Sequence, residues 1–459
     1  MTPADPLVTR LRSSLGDNAV VDDPDVLDSH RNDHATFCTA GVPRLLVRPS
    51  STAEVSEVLK AAGSFGVPVV TQGARTGLSG AANALDGCLL LSTARMNQIL
   101  EVSVEDQVAV VQPGVVNADL SRAVLEKDLF YPPDPSSWEM STVGGNIATN
   151  AGGLCCVKYG VTSDFVRGLE VVLASGEVVR TGRRSAKGVA GYDLTRLIVG
   201  SEGTLGVVTE ATLALRPAPE ASLTAAATFL SIEEGIAAAA AVMASGLRPS
   251  LLEFLDRPTL RAIQDYRDMG LPADVGSMLI AQSDRGLRAA DDVARIAAIC
   301  TEHGAIDVAE ASDAEESRML LEARRLVNSA LEPLGVTLID DVAVPRSKLV
   351  ALLRGIAEIG TKYDVLICCP GHVGDGNMHP TVVFDRDDPD AEARALQAFG
   401  AVMELGLSLG GTITGEHGIG KLKRQWLAQE LGSVGLRLQR EVKAVFDPNN
   451  LLNPDKLFL

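Results

Sequence analysis

A chain of 459 residues with 46% apolar side chains is long enough for two or three domains, each with its own core. The formal charge of −18 argues against nucleic acid or an anionic membrane as a direct partner, so an anionic substrate must meet a local basic pocket. Seven cysteines without a CxxC, among them the neighbours Cys155-Cys156 and Cys368-Cys369, suit a reduced cytoplasmic protein rather than a disulfide framework or an iron–sulfur centre.

The opening MTPADPLVTRLRSSLGD lacks a signal-peptide core, and residues 1–45 read as polar helix, then extended chain. PSSTAEVSEVLKAAGSFGVPVVTQG predicts a helix capped near Ser51-Thr52, stopped by Gly66 and followed by a strand. CLLLSTARMNQILEVSVEDQVAVVQPG alternates strand and turn signals, and LEVVLASGEVVRTG is a hairpin through Ser175-Gly176. The prolines of LALRPAPEA (213–221) suggest a linker. Beyond it come TAAATFL, an Ala-rich helix around 232–246, LLEFLD, a further helix, VGSMLIAQ, and another helix over roughly 285–303, in strand–helix–strand alternation. This alternation suits an antiparallel sheet covered by helices. Glu315 to Leu331 and residues 390–409 are helical in pattern, and a final helix leads to FDPNNLLNPDK. The longest small-apolar run, GIAAAAAVMASG, falls short of the about 18 residues of a membrane span.

Three glycine-rich loops stand out: TQGARTGLSG (71–80), STVGGNIATNAGG (141–153) and GSEGTLGVVTE (200–210). Such loops bring backbone N–H groups close to phosphate oxygens, and Ser, Thr and Asn add side-chain donors. None matches the dinucleotide fingerprint G-x-G-x-x-G, which disfavours that type of nicotinamide fold. Together they suit an extended cofactor with a pyrophosphate and a planar ring.

PGHVGDGNMHP (370–380) places two of only six histidines about an Asp-Gly turn. A two-residue turn on Asp375 and Gly376, both at positive φ, pairs His372 directly with His379, with β-carbons roughly 4.5–5.5 Å apart. Two imidazoles at that spacing can grip one ion. In GTITGEHGIGKLK, Glu416 is a third candidate ligand, or else a cap for the helix beginning near Lys423. Two histidines and a carboxylate leave coordination positions open, which is a catalytic pattern. His417, adjacent and ringed by glycines, is a candidate general base.

The three loops, GYDLTRLIVGSEGTLGVVTE, GHVGDGNMH and GTITGEHGIG together resemble the flavin-dependent D-2-hydroxyacid dehydrogenases of the vanillyl-alcohol oxidase superfamily, the D-lactate dehydrogenase and glycolate oxidase flavin-subunit type. The resemblance runs from about Pro43 to the closing LLNPDK. It implies an α+β chain: a two-part FAD-binding domain (1–217), a cap domain with an antiparallel sheet covered by helices (218–410), and a C-terminal segment closing the active site (411–459). It implies FAD contacts from Gly73, Ala74, Arg75, Thr76, Gly77 and Leu78, from Ser141, Gly144, Gly145, Asn146, Thr149, Ala151, Gly152 and Gly153, and from Glu202, Gly203, Val207 and Asn453. Relatives that tether flavin covalently often carry a histidine in the first loop; Ala74-Arg75-Thr76 stands here, so non-covalent FAD is expected.

By the same resemblance His372, His379 and Glu416 hold one divalent ion (zinc, manganese or iron), His417 is the catalytic histidine, and Arg324 grips the substrate carboxylate. Leu321 replaces a tryptophan that relatives often have before that arginine, which leaves Arg325 as a rival. Ile339-Asp340 and Thr381 stand near positions where the 2-hydroxyglutarate branch has a lysine and an asparagine, so a small monocarboxylate is favoured. The expected reaction is FAD-dependent oxidation of D-lactate or glycolate to the 2-keto acid. The alternatives are a D-2-hydroxyglutarate dehydrogenase, a flavin oxidase, and a flavoprotein subunit of a multi-subunit glycolate oxidase. Electrons would leave to a quinone, a cytochrome, an electron-transfer flavoprotein or an iron–sulfur subunit. A homodimer and a cytoplasmic location, peripheral to the inner membrane or free of it, complete the expectation.

Overall fold

The computed structural model describes residues 5–35 and 37–458. Residues 1–4, the head of the stretch read as lacking a signal core, lie outside them. The chain forms two compact units: one from residues 1–153, 160–218 and 416–459, the other from 154–159 and 219–415. Each is mixed α+β, as the sequence predicts.

The first unit holds a four-stranded sheet, a five-stranded sheet and a two-stranded pairing of Leu129–Phe130 with Arg216–Pro217. Leu45–Val47, Leu89–Ser92 and Val69–Gln72 run parallel, in that spatial order, with Val20–Val21 antiparallel at the edge. The helix Thr52–Phe65 buries Val55, Val58, Leu59 and Ala62 against this sheet. Its limits are local chemistry: the Ser51 hydroxyl accepts the Glu54 N–H at 3.3 Å, and Gly66 ends it at φ +62°. The second sheet is antiparallel, in the order Ile99–Ser103, Val108–Val111, Val207–Ala214, Val166–Val172, Val178–Gly182. The C-terminal segment joins this unit through a parallel bridge between Val69 and Leu452. The buried Lys443 ammonium stabilises the junction by donating to the Thr204 and Leu452 carbonyls and pairing with Asp447.

The second unit is built on a seven-stranded antiparallel sheet in the order Asp307–Glu310, Leu223–Phe229, Ser277–Ser283, Leu251–Asp256, Gly371–His372, Asn377–Met378, Val342–Ala343. A separate three-stranded sheet pairs Val336–Ile339, Thr381–Phe384 and Leu366–Cys368. LLEFLD is the strand Leu251–Asp256, followed by the helix Arg257–Tyr266 and the strand Ser277–Ser283, as the alternation predicts. All six residues of Leu251–Asp256 are buried. Leu251, Leu255 and Ile280 pack with Leu260 and Ile263 of the helix Arg257–Tyr266 and Val327 and Leu331 of the helix Glu322–Leu331. Among the described residues no helix is long and apolar enough to cross a membrane, and none of the seven cysteines forms a disulfide.

Candidate active site

In the first unit, the loops singled out in the sequence converge on a cleft of about 1310 Å³, its open mouth included. Gly73 to Leu78, Gly144 to Asn146, Thr149, Ala151, Gly152, Glu202, Gly203, Asn453, Glu416 and His417 all line it. The glycines let the loops approach one another: a β-carbon at Gly73 would collide with the Thr142 hydroxyl, and one at Gly144 would lie 2.6 Å from Pro113. Arg75 brings a cation, anchored by donation to the Ser29 carbonyl at 2.6 Å. Thr71 Oγ1, Asn146 Nδ2 and Asn453 Oδ1 are buried with no hydrogen-bond partner among the described residues. Leaving buried polar atoms unpaired is costly, so this lining fits a large polar cofactor.

Three expected contacts fall outside the lining. Val207 is 1% exposed and joins the apolar core, while Gly206 and Val208 face the cleft, because side chains alternate along the strand Val207–Ala214. Ser141 is buried away from it, and Gly153 packs on the Asp134 backbone. Asp33, Thr71, Ser79 and Ser201 line the cleft without having been foreseen. Thr71, Ser79 and Ser201 lie inside the recognised loops. Asp33 carries no pattern signal; its carboxylate accepts the Ala35 N–H at 2.9 Å, and burial raises its pKa.

Glu202 fixes the loop that carries His417. It sits at φ +51°, 4% exposed, and its carboxylate accepts the N–H groups of Ile419 (2.7 Å) and Gly420 (2.8 Å). Burial pushes its pKa up to about 7. Ser79 Oγ donates to the His417 carbonyl at 3.1 Å, so the histidine is held on both sides through its backbone.

In the second unit, the register of the histidine hairpin differs from the expectation. Gly371 pairs with Met378 and His372 with Asn377, which leaves a four-residue loop, 373–376. Only Gly376 takes positive φ (+85°); Asp375 does not, so the two-residue turn cannot form. The His379 N–H continues the ladder to the Pro370 carbonyl at 2.8 Å. His372 and His379 are thus diagonal neighbours on one face rather than directly opposed. Their rings still meet, with centroids 5.0 Å apart at 84°, both nearly buried. Asn377 lies between them on the same face; it was not anticipated, and its buried Oδ1 has no partner among the described residues.

The hairpin adds to the strand Leu251–Asp256, with Phe254 opposite Gly371. Continuing that antiparallel register sets Glu253 across from His372. Glu253 is fully buried; Oε1 lies 2.6 Å from His372 Nδ1, and Oε2 accepts the Arg324 Nε–H at 2.7 Å. Burial alone would raise its pKa, but its interactions with His372 and Arg324 outweigh that and hold it below the usual carboxylate range. Arg325 is exposed, so of the two rival arginines only Arg324 turns towards the histidines. Asp341, fully buried, accepts the Thr414 hydroxyl (2.6 Å) and the Gly415 N–H (2.9 Å), pinning the chain just before Glu416.

Comparison with known proteins gives the family. Residues 43–182 match the FAD binding domain family and residues 218–457 the C-terminal domain of FAD linked oxidases. The chain is 46% identical over 419 residues to the glycolate oxidase subunit GlcD of Bacillus subtilis (strain 168), covering 91% of this chain and 89% of that protein. It is 36% identical to a D-lactate dehydrogenase of Anaerostipes hadrus, covering 90% of this chain and 89% of that one. The fold matches p-cresol methylhydroxylase with a TM-score of 0.82 at 19% identity, over 98% of this chain and 96% of that structure. The chain belongs to the FAD linked oxidase family that includes glycolate oxidase subunits and D-lactate dehydrogenases, and is an FAD-dependent 2-hydroxy acid oxidoreductase.

Proposed function

We propose that the substrate is a small D-2-hydroxy monocarboxylate, D-lactate or glycolate, oxidised to the 2-keto acid with the help of a divalent ion. The observation that carries this reading is one buried carboxylate, Glu253, joining Arg324 to the first of two buried imidazoles. The donor set suits an ion. His372 turns Nδ1 to a carboxylate, and its Nε2, His379 and Glu416 would make a two-imidazole, one-carboxylate set. When bound, FAD would supply the hydride acceptor and the ion Lewis acidity for the 2-oxygen. Arg324 would bind the substrate carboxylate through its Nη edge, since Nε is engaged by Glu253. His417 would take the hydroxyl proton. FAD would be held without a covalent bond, since the first loop presents Ala74, Arg75 and Thr76 to the cleft.

A second substrate carboxylate, as in 2-hydroxyglutarate, finds little support. The Thr381 hydroxyl is turned to the His379 carbonyl at 3.2 Å, and Asp340 is acidic and fully buried. Anaerobic mixing of flavin- and ion-loaded protein with D-lactate, L-lactate, glycolate and D-2-hydroxyglutarate tests the assignment. Flavin bleaching by D-lactate or glycolate is expected; faster bleaching by 2-hydroxyglutarate, or none with any monocarboxylate, overturns it. Oxygen consumption matching turnover would identify an oxidase, and its absence an external electron acceptor.

A further inference from the structure

We propose that Glu253 is a positioning residue that fixes the carboxylate grip and the ion site in one frame, so that each depends on the other. The inference rests on the roles given above to Arg324 and His372. Glu253 sits on the central strand of the seven-stranded sheet, with strands paired on both sides, and has no exposed surface. Its two oxygens are divided between two donors, 2.6 Å from His372 Nδ1 and 2.7 Å from Arg324 Nε.

An ionised carboxylate only accepts hydrogen bonds. The proton of His372 must therefore stand on Nδ1, which makes Nε2 the lone-pair nitrogen that an ion needs. The same carboxylate takes the Nε edge of Arg324 and leaves the Nη edge for an incoming carboxylate. One side chain thus selects the tautomer of a ligand and the presenting edge of the substrate clamp. Neither choice survives an amide. A glutamine offers one acceptor and one donor, so it must either oppose one N–H or draw His372 into the other tautomer, with its proton on Nε2.

The test uses flavin-retaining protein stripped of metal and titrated with Zn2+ alone, followed by steady-state kinetics at saturating Zn2+. Glu253→Gln is expected to weaken Zn2+ binding about 10- to 100-fold, with the flavin spectrum unchanged and KM raised more than kcat falls. Arg324→Lys keeps the charge and removes the Nε–H. It is expected to weaken Zn2+ binding on the order of 2- to 30-fold without substrate present, although residue 324 is no ligand. His372→Ala serves as the reference and is expected to lose the ion altogether. If His372→Ala loses the ion while Glu253→Gln or Arg324→Lys binds it as the wild type does, the coupling is refuted and the ion site stands. If His372→Ala binds Zn2+ with full affinity, the ligand assignment itself fails, and the inference with it. Should Glu253→Gln not fold, Arg324→Lys decides alone.

Discussion

The cleft of the first unit is walled by Gly73, Gly77, Gly144, Gly145, Gly152 and Gly203, whereas the histidine face of the second unit is made of His372, His379, Asn377, Arg324 and Glu253. Glycines open the backbone to the first surface at those positions. In the second the side chains act, with His372, Glu253 and Arg324 each held by a partner on another strand or helix. A resident cofactor can be held by the shape of packed loops. A substrate that must be gripped, deprotonated and released needs separate groups with separate tasks, and those groups need support of their own.

The contrast breaks most visibly where each surface is damaged alone. Gly144→Val should give colourless protein, because a β-carbon there meets Pro113 at 2.6 Å and displaces one loop from the other; visible absorbance after purification reads the result. Chelation of the ion should do the reverse, slowing flavin reduction while the bound-flavin spectrum stays. His417→Ala should slow anaerobic flavin reduction by about 10^2- to 10^4-fold, the range for loss of a general base, again with flavin retained. Wild-type reduction rates in that variant would remove His417 from the mechanism.

The same contrast explains what could be read from sequence. Loops that shape a cofactor cleft are contiguous, and their glycines are visible as clusters, so nearly every expected contact faces the cleft. Val207 failed because a strand turns successive residues to opposite faces, and the loop's end in the sequence does not say which one. On the other face, His372 and His379 were legible because the hairpin is local, but their register depended on whether Asp375 would take positive φ. Glu253 was invisible. It lies far from both of its partners in the chain, inside a strand buried at every position, so that nothing in the run singles it out. Only the pairing of Phe254 with Gly371 brings it opposite His372.

A smaller effect sharpens the division of labour on the second face. Arg324→Ala should raise KM for the hydroxy acid about 10- to 100-fold, since charge-assisted hydrogen bonds contribute roughly 1.5–3 kcal/mol. The flavin content should not change. A fall in kcat with KM intact would mean that the arginine serves the chemical step instead of holding the substrate.

The smallest effect concerns stability and belongs to the first unit. Burial raises the Glu202 pKa from 4.5 to about 7, so the folded state holds this proton more tightly than the unfolded one. Its contribution is fully present below pH 4.5 and is lost as pH rises through about 7, roughly 3 kcal/mol over that window. Lys456, pushed down to about 8 by burial, acts above this window and with the opposite sign. Glu202→Gln cannot titrate, so denaturation of the flavin-free protein should show a flatter stability profile between pH 4.5 and 7 than the wild type. A constant offset is also expected, because an amide accepts from only one of the Ile419 and Gly420 N–H groups. Parallel profiles would mean that Glu202 stays ionised in the fold, held by those two donors against the cost of its burial.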